Sequence, residues 1–290
     1  MRIENEKISL EVGERGGSMV SLFDKERGEE LLYQPHPDSW QGQDIIIFPV
    51  VARLMDQSYT YEGETYSLKN HGLLRYMDAR LERVSETCLR ACFSSDKETR
   101  TRYPFDFEFC LTYALKGNGV SLSYRIVNRS YAPMPFMLGA HPAFRLPGVR
   151  REEEFDISGN TVEIKNGGQA TILLQDPSFS FMTGEKERIP SRLPLSRDLF
   201  RRINTVILDA ESFEDVALEK KDGSALVIHK HDAPYVALWS DMKFGDYVCI
   251  EPWFGLPDTI GSSKEISKKP GINILSVGCE FAYGYEIEIK

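Results

Sequence analysis

The chain has 290 residues, with 35 Lys or Arg against 44 Asp or Glu, a formal charge of −9, and 11% aromatic residues. That aromatic content belongs to a chain that buries a core, and the acidic balance removes the basic face that nucleic acid or an anionic membrane surface requires. No apolar run approaches the roughly 20 residues of a membrane helix, and the polar, alternating start MRIENEKISLEV lacks a secretory leader pattern.

Period-two alternation dominates the rest. The apolar run Ile45 to Val51 reads as a strand that Arg53 ends. Residues 59–68, YTYEGETYSL, read as a short hairpin around Gly63. From Phe105 to Tyr113 the odd positions are apolar and the even ones mostly polar; a Lys116–Gly119 turn follows, and Val120, Leu122, Tyr124 and Ile126 alternate with polar residues. This is a hairpin with one wet face. Arg151-Glu152-Glu153-Glu154 reads as a charged loop between strands, and residues 196–202 as a short helix with Ser196 as its N-cap. Residues 216–229 form a third hairpin around Asp222-Gly223, and Phe281, Tyr283, Tyr285, Ile287 and Ile289 mark a last half-buried strand. Many short strands, almost no helix and no linker predict an all-β sandwich or barrel, one domain over 1–290. Cys88, Cys92, Cys110, Cys249 and Cys279 are odd in number and contain no CxxC pair. They read as reduced thiols of a cytoplasmic protein.

Five histidines and one unusual glutamate carry most of the chemistry. His141 follows Gly139-Ala140 and precedes Pro142, which holds it extended and rigid, as general acid or base work needs; the alternative is a histidine packed between strands. His71, before Gly72, reads locally as a turn histidine, with Arg75 four residues on. His229 and His231 form an HxH that places two imidazoles on one strand face, but no further ligand follows at metal spacing, and no metal site is assigned. Glu251 sits in the apolar, aromatic stretch CIEPWFGLPD, where a carboxylate must be paired or have a raised pKa. A raised pKa suits a general base near neutrality. Arg53 either caps the sheet or binds a polar ligand; Trp40, Trp239 and Trp253 either stack on a sugar ring or fill the core. No dinucleotide fingerprint, Walker A motif or serine-hydrolase elbow occurs.

Three runs in order, FPVVARLMDQSYTYEGETYSLKNHGLLR, GAHPAFRLP and CIEPWFGLPD, with the tail KKPGINILSVGCEFAYGYEIEI, resemble the aldose 1-epimerases, and most of all their LacX-like branch. The resemblance spans nearly the whole chain. It implies a large antiparallel β-sandwich with a sugar site on a concave face. It also implies interconversion of the anomers of an aldose without a cofactor. By motif, Glu251 matches the family's general base, His141 its general acid, and His71 and Arg53 its substrate-binding positions. The family's substrate-binding Asp has no clear counterpart; Asp209 is not assigned to it. Arg145 stands where relatives commonly carry Asn, and Tyr76 where they carry Asp. Arg53, Arg75 and Arg145 together would make a basic pocket for a sugar phosphate, the alternative being that Arg145 is a surface residue; Trp253 is a further substrate-binding candidate. The readings are a mutarotase for a free hexose, one for a hexose phosphate, and a non-catalytic sugar binder. A glycosidase using Glu251 with Asp258 is a fourth reading. Oligomeric state is not set by the sequence.

Overall fold

The computed structural model describes residues 1–290 apart from 153, 166, 167, 179 and 242. Two large antiparallel sheets form its centre among the described residues. One has nine strands in the order Arg192–Pro194, Thr161–Ile164, Asp215–Glu219, Ala225–His229, Glu280–Ile289, Gly119–Asn128, Phe107–Lys116, Cys88–Ser94 and Arg80–Ser85. The other, of eight strands, runs Met182–Pro190, Gln169–Gln175, Thr205–Asp209, Tyr235–Trp239, Tyr247–Phe254, Leu138–Ala140 and Ile46–Ile47, with Ala143–Arg145 also paired to Tyr247–Phe254. A four-stranded sheet forms from residues 2–30.

Alternation explains both faces. On the strand Phe107–Lys116, Phe107, Phe109, Leu111 and Tyr113 are buried while Glu108, Cys110, Thr112 and Ala114 are half-buried. The next strand returns through Gly117-Asn118, with Lys116 paired to Gly119. In the eight-stranded sheet, Val206, Leu208, Val236, Leu238, Val248 and Ile250 enter the main core. Their neighbours Ile207, Ala237, Cys249 and Trp253 turn to the other face and form two smaller apolar clusters. That second face carries the cavity described below.

The large antiparallel sandwich expected from the sequence is the observed architecture, and all three hairpins, the C-terminal strand and the short helix are present. The helix spans Arg197–Ile203, and the Ser196 side chain accepts from the Leu199 amide as its N-cap. A one-turn helix, Lys97–Arg100, was not expected; its reciprocal Asp96–Thr99 capping box is nevertheless visible in the sequence. The charged run at 151–154 separates two short strands, with Glu153 outside the described residues. No helix among the described residues is long and apolar enough to cross a membrane.

Three expectations are corrected. The cysteines are not all thiols: Cys92 and Cys110 form a disulfide. They face each other directly in the pairing of Cys88–Ser94 with Phe107–Lys116. Directly opposed cross-strand residues hold their Cβ atoms within bridging reach, which neither an odd count nor the absence of CxxC excludes. The run Ile45–Val51 is buried throughout, but only Ile46–Ile47 pairs as strand, so Arg53 rides on a loop rather than ending a strand. His229 and His231 do not share a strand face. The strand ends at His229, whose ring nitrogens meet Asp215 at 2.8 Å and Glu288 at 3.2 Å, and His231 turns away with φ +48°.

Candidate active site

Strand pairing builds the centre of the site. Gly139 pairs with Trp253 and Ala143 with Cys249. His141, midway between, therefore stands opposite Glu251, midway on the other strand. Its Nε2 lies 3.4 Å from Glu251 Oε2, with the two side chains only 8% and 1% exposed. Gly139 is required here: a Cβ would lie 2.6 Å from Trp253 Cδ1. The missing side chain lets the Trp253 indole lie against the strand.

Aromatic rings fix the imidazole from several sides. Trp40 sits 5.0 Å from His141 between ring centres, His71 5.2 Å and Trp239 6.0 Å. The loop carrying Trp40 is tied down by the Ser39 hydroxyl, which donates to Asp241. The buried Asp44 carboxylate accepts the Met19 amide at 3.0 Å. Asp44 carried no signal in the sequence.

His71 is positioned by a reciprocal exchange with Ala52. The His71 amide donates to the Ala52 carbonyl at 2.9 Å, and the Ala52 amide donates to His71 Nδ1 at 3.3 Å. Nδ1 as acceptor leaves the proton on Nε2. Ala52 and His71 adopt left-handed φ, +49° and +62°, and Gly72 follows at +78°, where a Cβ would clash 2.2 Å from the Phe48 carbonyl oxygen. His71 is thus a turn histidine and a wall of the cavity at once. Asn204, just beyond the helix Arg197–Ile203, is a third cavity residue with positive φ, +62°. Such backbone strain in residues other than glycine gathers at functional sites.

The cavity has a volume of about 540 Å³. Its lining includes Glu251 and His141, Arg53, Asn70, His71 and Arg75, and Gln175, Ser178, Ser180, Asn204 and Thr205. Trp40, Trp239 and Trp253 supply its aromatic walls. Arg53 and Arg75 make no ion pair or side-chain hydrogen bond among the described residues, though Arg75 lies 5.2 Å from the Tyr76 ring centre.

Arg145 does not join them. It lies on the strand Ala143–Arg145, is exposed, and faces Asp246 at 3.6 Å in a separate depression with Lys220 and Lys221. Four residues of extended chain carry it about 13 Å beyond His141. The basic pocket expected from three arginines is therefore made by two. Asp258 is also outside the cavity: it is buried against Lys269 Nζ at 2.6 Å and accepts from Ser262 and the Met55 amide. Glu251 is the single carboxylate among the described lining residues, which leaves no second one for a glycosidase pair. Asp209 pairs instead with Lys186 at 2.7 Å.

Burial sets the electrostatics. It pushes the Glu251 carboxyl well above the ordinary carboxylate range, holds His141 down to about 3 and holds His71 well below its ordinary value. Burial therefore disfavours the charged form of both Glu251 and His141, whose nearest atoms lie 3.4 Å apart without a hydrogen bond between them. His141, Cys249 and Glu251 also bring three potential metal ligands within 4.8 Å of one another, but burial pushes the Cys249 thiol up, away from the thiolate a metal prefers.

Six buried side-chain polar atoms among the described residues lack a hydrogen-bond partner, and four belong to residues lining this cavity: His141 Nδ1, Gln175 Oε1, Glu251 Oε2 and Trp253 Nε1. Buried polar groups are normally satisfied, so this concentration marks a place for a hydroxyl-bearing ligand. Gln175, Asn204, Ser178 and Ser180 were not found by sequence reasoning. A polar residue at the cavity parity of an apolar strand, QATILLQ, and an Asn just past a helix were the available signals.

Residues 1–271 match the family model described as Aldose 1-epimerase, and the chain belongs to that family. It is 28% identical over 285 residues to the plasmid-encoded protein LacX of Lactococcus lactis subsp. lactis, covering 94% of this chain and 93% of that protein. Among solved structures it is similar to a galactose mutarotase-like protein from Lactobacillus casei ATCC 334, with TM-score 0.93, 27% identity, and 100% and 99% of the two chains covered. A galactose mutarotase related enzyme from Lactobacillus acidophilus superposes with TM-score 0.92 at 30% identity, covering 100% of this chain and 97% of that one.

Proposed function

We propose that this protein is a cofactor-independent aldose 1-epimerase that interconverts the α and β anomers of a hexose, with Glu251 and His141 as its acid–base pair. The observation that carries the reading is that pair: one carboxylate and one imidazole, opposed at 3.4 Å, buried, and lining a cavity with unsatisfied polar atoms. Anomer exchange needs one group to take the proton of the anomeric hydroxyl and another to give one to the ring oxygen. Glu251 takes the first and His141 gives the second. The ring opens to the free aldehyde, the C1–C2 bond rotates, and closure on the other face returns both protons with the roles exchanged. No net proton enters or leaves, so a pair sharing one proton is sufficient. Moving that proton from Glu251 to His141 converts the resting neutral pair into the working carboxylate and imidazolium. A well-placed acid or base contributes about 10²–10⁴-fold. A protein that only bound sugar would have no use for a buried, perturbed acid–base pair, which weighs against the binder reading.

The hexose phosphate reading is favoured by a specific observation: Arg53 and Arg75 both line the cavity and make no ion pair among the described residues. A phosphate there would receive two guanidinium groups. Magnetisation-transfer NMR of anomer exchange on glucose, galactose and glucose 6-phosphate tests both readings. Acceleration of any of the three by the protein supports the epimerase, and the preferred sugar decides between free and phosphorylated substrate. No acceleration, with sugar-dependent shifts in the protein spectrum, would establish a binding protein instead.

A further inference from the structure

Gln175 is buried at its side-chain oxygen, lines the cavity and has no partner for its amide, yet the acid–base chemistry makes no use of it. We infer that Gln175 is a specificity residue of this site, and that its amide reads the sugar hydroxyl lying across the ring from the anomeric carbon, on C3 or C4. The inference rests on the epimerase reading above and names what that site recognises.

Placement comes first. Along Gln169–Gln175, Ile172 and Leu174 pack into the main core, whereas Leu173 belongs to the apolar cluster under the cavity. Gln175, two residues after Leu173, keeps the cavity side. The strand pairing is irregular between Leu173 and Gln175, where the partner strand carries extra residues. Such irregularities re-aim side chains beside functional sites. Just beyond, Asp176 Oδ1 accepts the amides of Ser180 and Phe181, both at 2.9 Å.

Distance selects the hydroxyl. Across three strand steps, about 14 Å, Glu251 stands in register with Ala237, Ile207 and Leu173, and Gln175 lies two residues, about 7 Å, further along the last strand. The two backbones are therefore about 16 Å apart. A glutamine and a glutamate reaching inward from the two sides leave room for one pyranose ring between their tips. With C1 and the ring oxygen at Glu251 and His141, the far edge of the ring is C3–C4. An amide both donates and accepts, so it suits a hydroxyl, and its buried oxygen loses its only partner when that hydroxyl is absent or inverted. Sites built to bond a hydroxyl reject analogues without it far better than apolar pockets reject an added group.

The test compares wild type with Gln175→Met, which keeps an unbranched chain of similar size, and with Gln175→Ala as a second variant, on the preferred hexose and on its 3-deoxy and 4-deoxy forms. We expect kcat/KM on the parent sugar to fall about tenfold or more in both variants, through KM, with the pH profile unmoved. We expect wild type to lose a similar factor on one deoxy sugar, and the variants to be indifferent to that same deletion. Variants as active as wild type would overturn the inference, as would variants that lose the same factor on every sugar or on neither deletion in particular. Sugar binding is read in the same samples by saturation transfer. A wild type that binds but does not exchange would end the epimerase reading alone, and the comparison would then be decided on Kd. A wild type that neither binds nor exchanges these sugars would overturn both.

Discussion

His141 stands directly opposite Glu251 between two strand-paired positions, Gly139 with Trp253 and Ala143 with Cys249, and its Nε2 is 3.4 Å from Glu251 Oε2. Burial disfavours the charged form of both groups. The pair's second proton goes onto His141, which burial holds down to about 3, and its last comes off Glu251, which burial raises well above the ordinary range. The rate of anomer exchange is therefore expected to persist through pH 5, well below the roughly 6.5 of an exposed histidine, and to fall on the alkaline side as the raised Glu251 proton is lost. A pH–rate profile checks this, read as the titration of the pair. An acid limb near that ordinary histidine value would contradict it.

Arg53 and Arg75 are the unneutralised cations of the cavity, while Arg145 faces Asp246 elsewhere. If the substrate is phosphorylated, Arg53→Ala and Arg75→Ala should each raise KM for hexose 6-phosphate about tenfold or more, since a hydrogen bond to a charged group contributes about 1.5–3 kcal/mol. Arg145→Ala should leave KM unchanged. Steady-state kinetics on paired free and phosphorylated sugars measures this, and an equal response of all three variants would retire the two-arginine arrangement.

Gly139 has no room for a side chain against Trp253. Gly139→Ala should displace the indole, lower stability by about 1–3 kcal/mol and weaken sugar binding. Denaturant unfolding and tryptophan fluorescence with added sugar report the two effects, and an unperturbed variant would show that the indole does not depend on this contact.

His229, on the nine-stranded sheet, bears on stability and not on catalysis. Burial opposes its charging, but hydrogen bonds to Asp215 and Glu288 outweigh that, and its pKa is raised. A raised histidine stabilises fully below its unfolded value, about 6.5, and the stabilisation is lost as pH rises through the folded value. The stability difference between wild type and His229→Gln should be largest below that value and shrink above it. Unfolding curves across this range check the sign, and a difference that grew with pH would reverse the assignment.

The strands were readable because one face of each is wet, so burial writes a period of two into the chain at Phe107–Lys116 and Glu280–Ile289. Glu251 and His141 were readable for another reason: a carboxylate amid Cys249, Ile250, Trp253 and Phe254, and a histidine wedged before proline, are each costly unless used. Arg145 misled because nearness to His141 along an extended chain is not nearness in space. Gln175 and Asn204 were hidden because sheet order, which no local pattern records, brings them to the same cavity. The Cys92–Cys110 bridge was hidden likewise by strand register.

Anomer exchange by Glu251→Gln, measured by magnetisation transfer alongside sugar binding, bears most directly on the proposed mechanism. The amide keeps the shape of the side chain and its neutral charge state but cannot take a proton. The account predicts that exchange falls by at least about 10²-fold while the sugar still binds and the fold is intact. Exchange at the wild-type rate in this variant would remove Glu251 from the chemistry and contradict the account.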